Sequence, residues 1–334
     1  MVTQMRRSDE YWAKRLLSAG DRRLTPAERK LKEIYVNATA KIKKEIEAYI
    51  GRYGTDDIYA LLSKAQTLSQ QKFAATAYAD SDKKNYPSWF KRIAYRQSRK
   101  TKITRVDKLM FEIDLILSQA SAREVETLAD LLSKVYSDGY NSGAYNSAIE
   151  SGRTRVISKP KIDAIKRAID SRWLDGNFKT RSADNAESVS KALQKDIPSG
   201  LILGRNPKEI ATMINKRTGT GYKNALRLAR TEVSHVLNDA NFQAMEDNDI
   251  ERYVYTAVLD FKTSEICRDL DGKDFALKDK RQGINAPPMH PNCRSTTVPM
   301  GDDRGERLAK DKNGKYFYVP ENMTYKEYAE KYLS

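Results

Sequence analysis

Apolar residues recur at helical spacing through most of the chain. Ile34, Ala38, Ile42, Ile46 and Ile50 fall on every fourth position, which predicts a long amphipathic helix. The capping box Thr25-Pro26-Ala27-Glu28 is placed to open it, and Gly51 or Gly54 to stop it. Ahead of it, Tyr11, Trp12, Leu16 and Leu17 make one short stripe that suggests a separate docking helix. Ile58, Leu61, Leu62 and Leu68 keep the spacing until Pro87 breaks it. Thr104 is positioned to cap a helix bearing Val106, Leu109, Met110, Ile113 and Leu117. Ser121-Ala122-Arg123-Glu124 reads as a second capping box, leading into Val125, Leu128, Leu132 and Val135. Tyr136, Tyr140 and Tyr145, interleaved with Gly139 and Gly143, point to close helix packing.

The same period continues further on. Ile162, Ile165, Ile169 and Trp173 form a stripe, Trp173 to Phe178 reads as a turn, and residues 184–197 read as helix. Residues 200–205 make a short apolar turn, and Asn206-Pro207-Lys208-Glu209 opens a helix with Ile210, Met213 and Ile214. Gly219 and Gly221 set this off from a helix over 222–247, whose stripe is Leu226, Ala229, Val233, Val236 or Leu237, and Ala240. At Arg252 the pattern changes. Arg252 to Leu259 is β-branched and aromatic and is the clearest strand; Arg294 to Val298 and Tyr316 to Val319 are shorter candidates. Residues 299–313 read as a polar mobile loop, and Thr324-Tyr325-Lys326-Glu327 caps a last helix ending near Leu333. The expected fold is mainly α with a small α+β C-terminal domain. It divides into a helical N-terminal region over 1–155, helices packed on a short sheet over 156–300, and an extension over 301–334.

With 334 residues the chain is long enough for two domains and a sizeable core. Sixty Lys and Arg against 45 Asp and Glu leave a formal net charge of +15, which favours a polyanionic partner, nucleic acid before an acidic protein surface. No run of about 18 apolar residues is present, so no membrane span is expected. The first residues lack the apolar core of a signal peptide, and two Cys fit synthesis in a reducing cytosol. The charge is densest where Arg92, Arg96, Arg99, Lys100, Lys102 and Arg105 lie beside Trp89, Phe90 and Tyr95. These six are the candidate nucleic-acid contacts, because Lys and Arg neutralise phosphates and release counterions. A solvated helix face would carry the same charges.

Candidate chemistry concentrates in one stretch. The chain has two Cys and two His; Cys267, His290 and Cys293 fall between Asp260 and Thr297, and His235 lies on the helix upstream. His290-Pro291-Asn292-Cys293 sets two soft ligands one turn apart, and Cys267 returns across a loop as a third, a set that suits Zn2+. His235 and Asp269 are the candidates for a fourth ligand. A metal-free pair of buried thiols beside a hydrogen-bonded imidazole, or a Cys267–Cys293 disulfide, fits the same spacing. Glu232 and His235 share one helix face, as a metal site or a general base would need. The plainer reading is a buried polar network of Arg230, Glu232 and His235 that pins the helix to the following strand.

Read in order, these residues resemble a known family. Leu228-Ala229-Arg230-Thr231-Glu232, His235, Asn238, Asp260, Thr263-Ser264, Cys267, Leu270-Asp271-Gly272-Lys273 and Pro287-Pro288-Met289-His290-Pro291-Asn292-Cys293-Arg294-Ser295 are similar to the tailed-phage head-morphogenesis family, the minor head proteins named after the F protein of phage Mu. The resemblance covers about residues 165–300. It implies a minor capsid protein without catalytic residues, bound to the portal inside the head, active in head assembly and touching packaged double-stranded DNA. Scaffold or major capsid protein is a further partner candidate. The implied location is the virion, with the host cytoplasm during assembly. Many relatives read Cys-Arg-Cys where this chain has Cys293-Arg294-Ser295, and carry Cys where Leu270 stands. The end of the motif also resembles an HNH-type site, so a metal-dependent nuclease using His290 and Cys293, or another DNA-binding enzyme, is the alternative function.

Overall fold

A computed structural model describes residues 9–54, 63–150, 159–173, 176–300, 306–311, 315–320, 323 and 325–332. The side chains of Tyr11 and Trp12, the stripe residues Ile58, Leu61 and Leu62, Leu174 and Asp175 of the turn, Thr324 and Leu333 lie outside this description. Among the described residues there are nine α-helices: α1 Asp9–Tyr53, α2 Thr67–Asp80, α3 Ser88–Ser98, α4 Arg105–Glu150, α5 Ile162–Asp170, α6 Phe178–Ile202, α7 Pro207–Asp247, α8 Glu265–Leu270 and α9 Tyr325–Tyr332. The strands are β1 Arg252–Thr256, β2 Asp274–Ala276, β3 Thr296–Pro299, β4 Glu306–Lys310 and β5 Tyr316–Pro320. The fold is thus mainly helical with a small C-terminal β component, as the periodicity predicts. No described helix is long and apolar enough to cross a membrane.

Two helix starts form as local sequence dictates. Thr104 and Asp107 bond reciprocally, Asp107 N–H to Thr104 Oγ1 at 3.1 Å and Thr104 N–H to Asp107 Oδ2 at 2.8 Å. Asn206 and Glu209 do the same at 3.0 Å each way. Gly54, at φ +75°, ends α1 by donating to the Ile50 carbonyl.

Three predicted interruptions do not occur. α1 runs through Thr25 and Pro26, so the docking stripe and the long helix are one element. Pro26 removes one helical hydrogen bond at a cost of about 3 kcal/mol, which is offset by burial of Ala13, Leu16 and Ala19 before it and Ala27 and Leu31 after it. Ser121 and Glu124 do not cap a helix but lie inside α4, both buried. Gly219 and Gly221 do not separate two helices but lie inside α7. Gly221 is needed for close approach, since a Cβ there would stand 2.8 Å from the Tyr35 ring and 2.9 Å from Val189. Two smaller differences follow the same pattern. α5 buries Ala164 and Ala168 rather than Ile162, which is exposed. Residues 306–310, expected in a loop, form β4 and pair antiparallel with β5.

By packing, the residues fall into two compact units, and neither is one continuous stretch of chain. Unit 2 comprises residues 28–128 and 178–226. Its core joins Ile42, Ile46, Trp89, Phe90, Phe111, Ile113, Leu117, Leu193 and Ile197. Within it Tyr35 Oη donates to Glu124 Oε2 at 2.8 Å and accepts from Asn185 Nδ2 at 2.8 Å. Burial pushes the Glu124 carboxyl up to about 7, against the hydrogen bonds that oppose the shift. Burial likewise raises Asp114 to about 6, although Ser190 donates to it at 2.5 Å. Both acids bind a proton more tightly folded than unfolded, so their stabilisation is complete below the ordinary carboxyl range and is lost as pH rises toward 7. Unit 2 is therefore expected to unfold more readily at pH 8 than at pH 5. The step from 4.5 to about 7 at Glu124 is worth on the order of 3 kcal/mol. Glu124→Gln should flatten this decline and raise stability at pH 8. Denaturant melts of the full chain at the two pH values check it, and an unchanged pH dependence in the variant would refute the assignment.

Unit 1 comprises residues 1–27, 129–177 and 227–334. Its sheet has the order β2-β1-β3, antiparallel throughout, with Val254 opposite Asp274 on one side and Val298 on the other. α7 is buried on all faces from Thr231 to Asn238. It holds β3 through two side-chain amides: Asn241 Nδ2 donates to the Thr297 carbonyl at 2.8 Å, and Asn238 Oδ1 accepts from Thr296 Oγ1 at 3.0 Å. Against α7 lies the second half of α4, where Gly139 and Gly143 admit Leu237, Ala240, Asn241 and Ala244. The close packing predicted from the Gly/Tyr pattern is what these neighbours show.

Candidate metal centre

Three elements of unit 1 deliver three soft side chains to one point. α8, a short helix that starts after Ser264, carries Cys267 on its buried side. The loop after β2 passes through a cis Pro287–Pro288 bond to the turn His290-Pro291-Asn292-Cys293, which leads into β3. That turn closes with the Cys293 N–H donating to the His290 carbonyl at 3.1 Å. Asn292 adopts φ +58°, a left-handed conformation that Asn tolerates better than most residues. Its N–H donates to Thr231 Oγ1 on α7 at 3.0 Å, which anchors the turn. Beside it Arg294 grips Asp260 with two hydrogen bonds of 2.6 Å, tying the start of β3 to the segment after β1. Burial pushes the Asp260 carboxyl up, but the bonds and charge of Arg294 together outweigh it and hold the group below the usual range.

Cys267 Sγ lies 3.3 Å from His290 Nε2 and 3.8 Å from Cys293 Sγ, and the three ligand atoms all fall within 4.8 Å of one another. Both cysteines are free and buried. The sulfur of Cys267 accepts from Tyr255 Oη at 3.2 Å and shares a hydrogen bond with Cys293, with the hydroxyls of Ser264 and Ser295 close by. The Cys293 bond foremost, against burial, draws the Cys267 thiol well below its ordinary value. The same bond, with burial and the Cys267 charge, drives Cys293 up. His290 Nδ1 faces the Pro291 carbonyl at 2.9 Å. An Nδ1–H donating there leaves Nε2 with its lone pair toward the sulfurs and toward Ser264 Oγ, 2.8 Å away.

The fourth-ligand candidates stand elsewhere. His235 is buried and stacks on Trp173, ring centroids 4.9 Å apart; its Nε2 meets Ser171 Oγ at 2.8 Å and its Nδ1 faces the Gln282 side-chain amide. Asp269 is exposed, because two residues along a helix from Cys267 is nearly the opposite face. Neither joins the three-residue group. Glu232 and His235 do meet, through Trp173, whose Nε1–H donates to Glu232 Oε2 at 3.1 Å. Arg230 lies on the exposed side of that turn. Spacing could not reveal the roles of Tyr255, Ser264 and Ser295 around Cys267, nor those of Ser171 and Gln282 around His235. Those arrangements arise from strand and loop positions far apart in sequence.

The basic segment lies in unit 2. Arg92 and Arg96 share one face of α3, Arg99 follows at its C-terminal end, and with Lys100 and Lys102 they are exposed. Arg92 is 3.8 Å from Glu187 and Lys100 is 2.8 Å from Asp107. Arg99 and Arg105 lie over the rings of Tyr95 and Tyr53 at 4.8 and 4.1 Å. Arg96 and Lys102 have no ion pair among the described residues.

Residues 191–298 match the model of the family described as Phage Mu protein F like protein. The match runs from α6 through β3 and includes Cys267, His290 and Cys293. Among curated proteins, NAD(+)--arginine ADP-ribosyltransferase EFV of Enterococcus faecalis is 26% identical over 251 residues, which is 70% of this chain and 50% of that protein. Minor head protein GP7 of Bacillus phage SPP1 is 25% identical over 245 residues, 65% of this chain and 78% of that protein. An uncharacterized protein of Haemophilus influenzae is 27% identical over 137 residues, 41% of this chain and 30% of that protein. The chain thus spans half the length of the Enterococcus relative and most of the phage one. No solved structure gives a significant match.

Proposed function

Since residues 191–298 match the model of the Phage Mu protein F like family, we propose that this chain is a minor head protein of a tailed phage, bound to the portal inside the head. It takes part in head assembly there and contacts the packaged DNA. The observation that carries this reading is the relation to a phage minor head protein over 78% of that protein's length. The net charge of +15 supports a polyanionic partner inside the shell. The relative named as a transferase is matched over half its length, and we assign no transferase activity to this chain. The virion is its proposed final location and the host cytoplasm its place of assembly.

The DNA surface in this proposal is the exposed face of α3 with the segment after it. Neutral Arg96→Gln, Arg99→Gln and Lys102→Gln together are expected to weaken duplex binding for every sequence alike. The slope of log affinity against log salt should fall by about 2 to 3, roughly 0.9 for each phosphate no longer neutralised. Fluorescence anisotropy of the full chain over a salt series reads this, and an unchanged slope would move the DNA-binding surface away from α3. The portal contact is tested by co-expressing the tagged chain with the portal protein of the same phage. Recovery of a stable complex is expected, and its absence in both tagging orientations would sink the portal assignment.

A further inference from the structure

Two of the distances in the cysteine–histidine cluster lie close to those of a tetrahedral zinc site, and all three ligand atoms fall within 4.8 Å of one another. Zn–S bonds of about 2.3 Å and a Zn–N bond of about 2.0–2.1 Å at tetrahedral angles separate two sulfurs by about 3.8 Å, and sulfur from nitrogen by about 3.6 Å. The sulfurs here are 3.8 Å apart, and Cys267 Sγ is 3.3 Å from His290 Nε2. A disulfide would need the sulfurs at about 2.05 Å, so the two are unbonded, at a separation that a shared ion accepts. We propose that Cys267 Sγ, Cys293 Sγ and His290 Nε2 hold one Zn2+, with the fourth position left to solvent beside Ser264 Oγ.

Each part of the donor set fits that ion. Two sulfurs and an imidazole are soft to borderline ligands, which select zinc over magnesium or calcium. The Nδ1 of His290 is turned to the Pro291 carbonyl at 2.9 Å, the outer hydrogen bond that orients a metal-bound imidazole. Tyr255 Oη donates to the Cys267 sulfur at 3.2 Å, a second outer bond that orients a ligand, and Ser264 Oγ lies 2.8 Å from His290 Nε2. Those neighbours are hydroxyls, weak zinc ligands, so they brace the site without completing it. His235 and Asp269, the other candidates, face away from it. An ion here would join α8 to the turn that starts β3, two segments with a 22-residue excursion between Cys267 and His290. It would add one more tie to a loop already held by the β1–β2 pairing and by the turn hydrogen bonds of residues 281–286. The inference rests on these residues alone and stands or falls separately from any role in a phage head.

The test uses the full reduced chain, first as purified and then after chelation and return of Zn2+. Elemental analysis is expected to give one zinc per chain. Co2+ added to the stripped protein should show thiolate charge-transfer and tetrahedral ligand-field bands. Ser264→Ala should keep the ion with about 10-fold weaker affinity, as for loss of an outer partner. Cys293→Ser should abolish stoichiometric binding. Because that variant could fail to fold, the wild-type titration against a chromogenic chelator stands by itself. A reduced wild-type chain that takes up no Zn2+ at micromolar free ion overturns the proposal, and so does equal uptake by a folded Cys267→Ser protein.

Discussion

Trp173→Ala is expected to destabilise unit 1 by about 3–5 kcal/mol, the range for truncating a large buried aromatic side chain. Trp173 is 7% exposed, stacks on His235 at 4.9 Å, and donates its indole N–H to Glu232 at 3.1 Å. Removing the ring opens a cavity beside His235 and takes a donor from a buried carboxylate. The damage is directional, because α7 carries His235 and also, one to two turns on, the amides that hold β3. Native-state hydrogen exchange should therefore show lower protection at residues 252–256 and 296–299 in the full chain. Trp173→Phe keeps a ring and removes only the N–H, and should cost about 1–2 kcal/mol. Equal exchange in wild type and Trp173→Ala would mean that the indole does not support the sheet.

Gly143→Val is expected to cost about 2–4 kcal/mol, mostly through overpacking. A Cβ at Gly143 would stand 2.6 Å from Asn241 Oδ1 and 3.1 Å from Asn241 Cα. That amide cannot swing away freely, because its nitrogen is bonded to the Thr297 carbonyl at 2.8 Å. Overpacking contributes about 1–3 kcal/mol, and breaking the Thr297 bond about 1 more. The gain in helix propensity over glycine is under about 1 kcal/mol and does not offset this. Val at Gly51, where a Cβ meets nothing within 4 Å, is the matched control and should be near neutral. Denaturation midpoints of the two variants decide the matter, and equal midpoints would refute the close approach of α4 and α7 as a source of stability.

How much could be read from the chain alone depended on how local the cause was. The starts of α4 and α7 were legible because Thr104 with Asp107, and Asn206 with Glu209, find each other within one turn. Ser121 and Glu124 have the same spacing, but Glu124 is buried against Tyr35, 89 positions away. Spacing cannot distinguish a cap from a buried polar pair when the deciding partner is that distant. Gly221 misleads for a similar reason: a glycine that lets a Tyr ring approach looks in sequence like one that ends a helix. β4 was hidden because its residues are mostly charged, and its pairing with β5 supplies the order that its own pattern lacks. The cysteine–histidine cluster was legible through scarcity, since a chain with two Cys and two His brings three of the four within a few ångström. Its hydroxyl shell was not, because Ser and Tyr are common and their meeting with Cys267 is set by the sheet.

The proposed role makes this chain a built-in part of a phage head. The most direct measurement is quantitative mass spectrometry of density-purified heads from a lysate that expresses it, filled and unfilled alike. The account predicts peptides of this chain in both, at a fixed ratio to the portal protein and far below the major capsid protein. Particles of both kinds that lack the chain, while it is abundant in the infected-cell lysate, would contradict it.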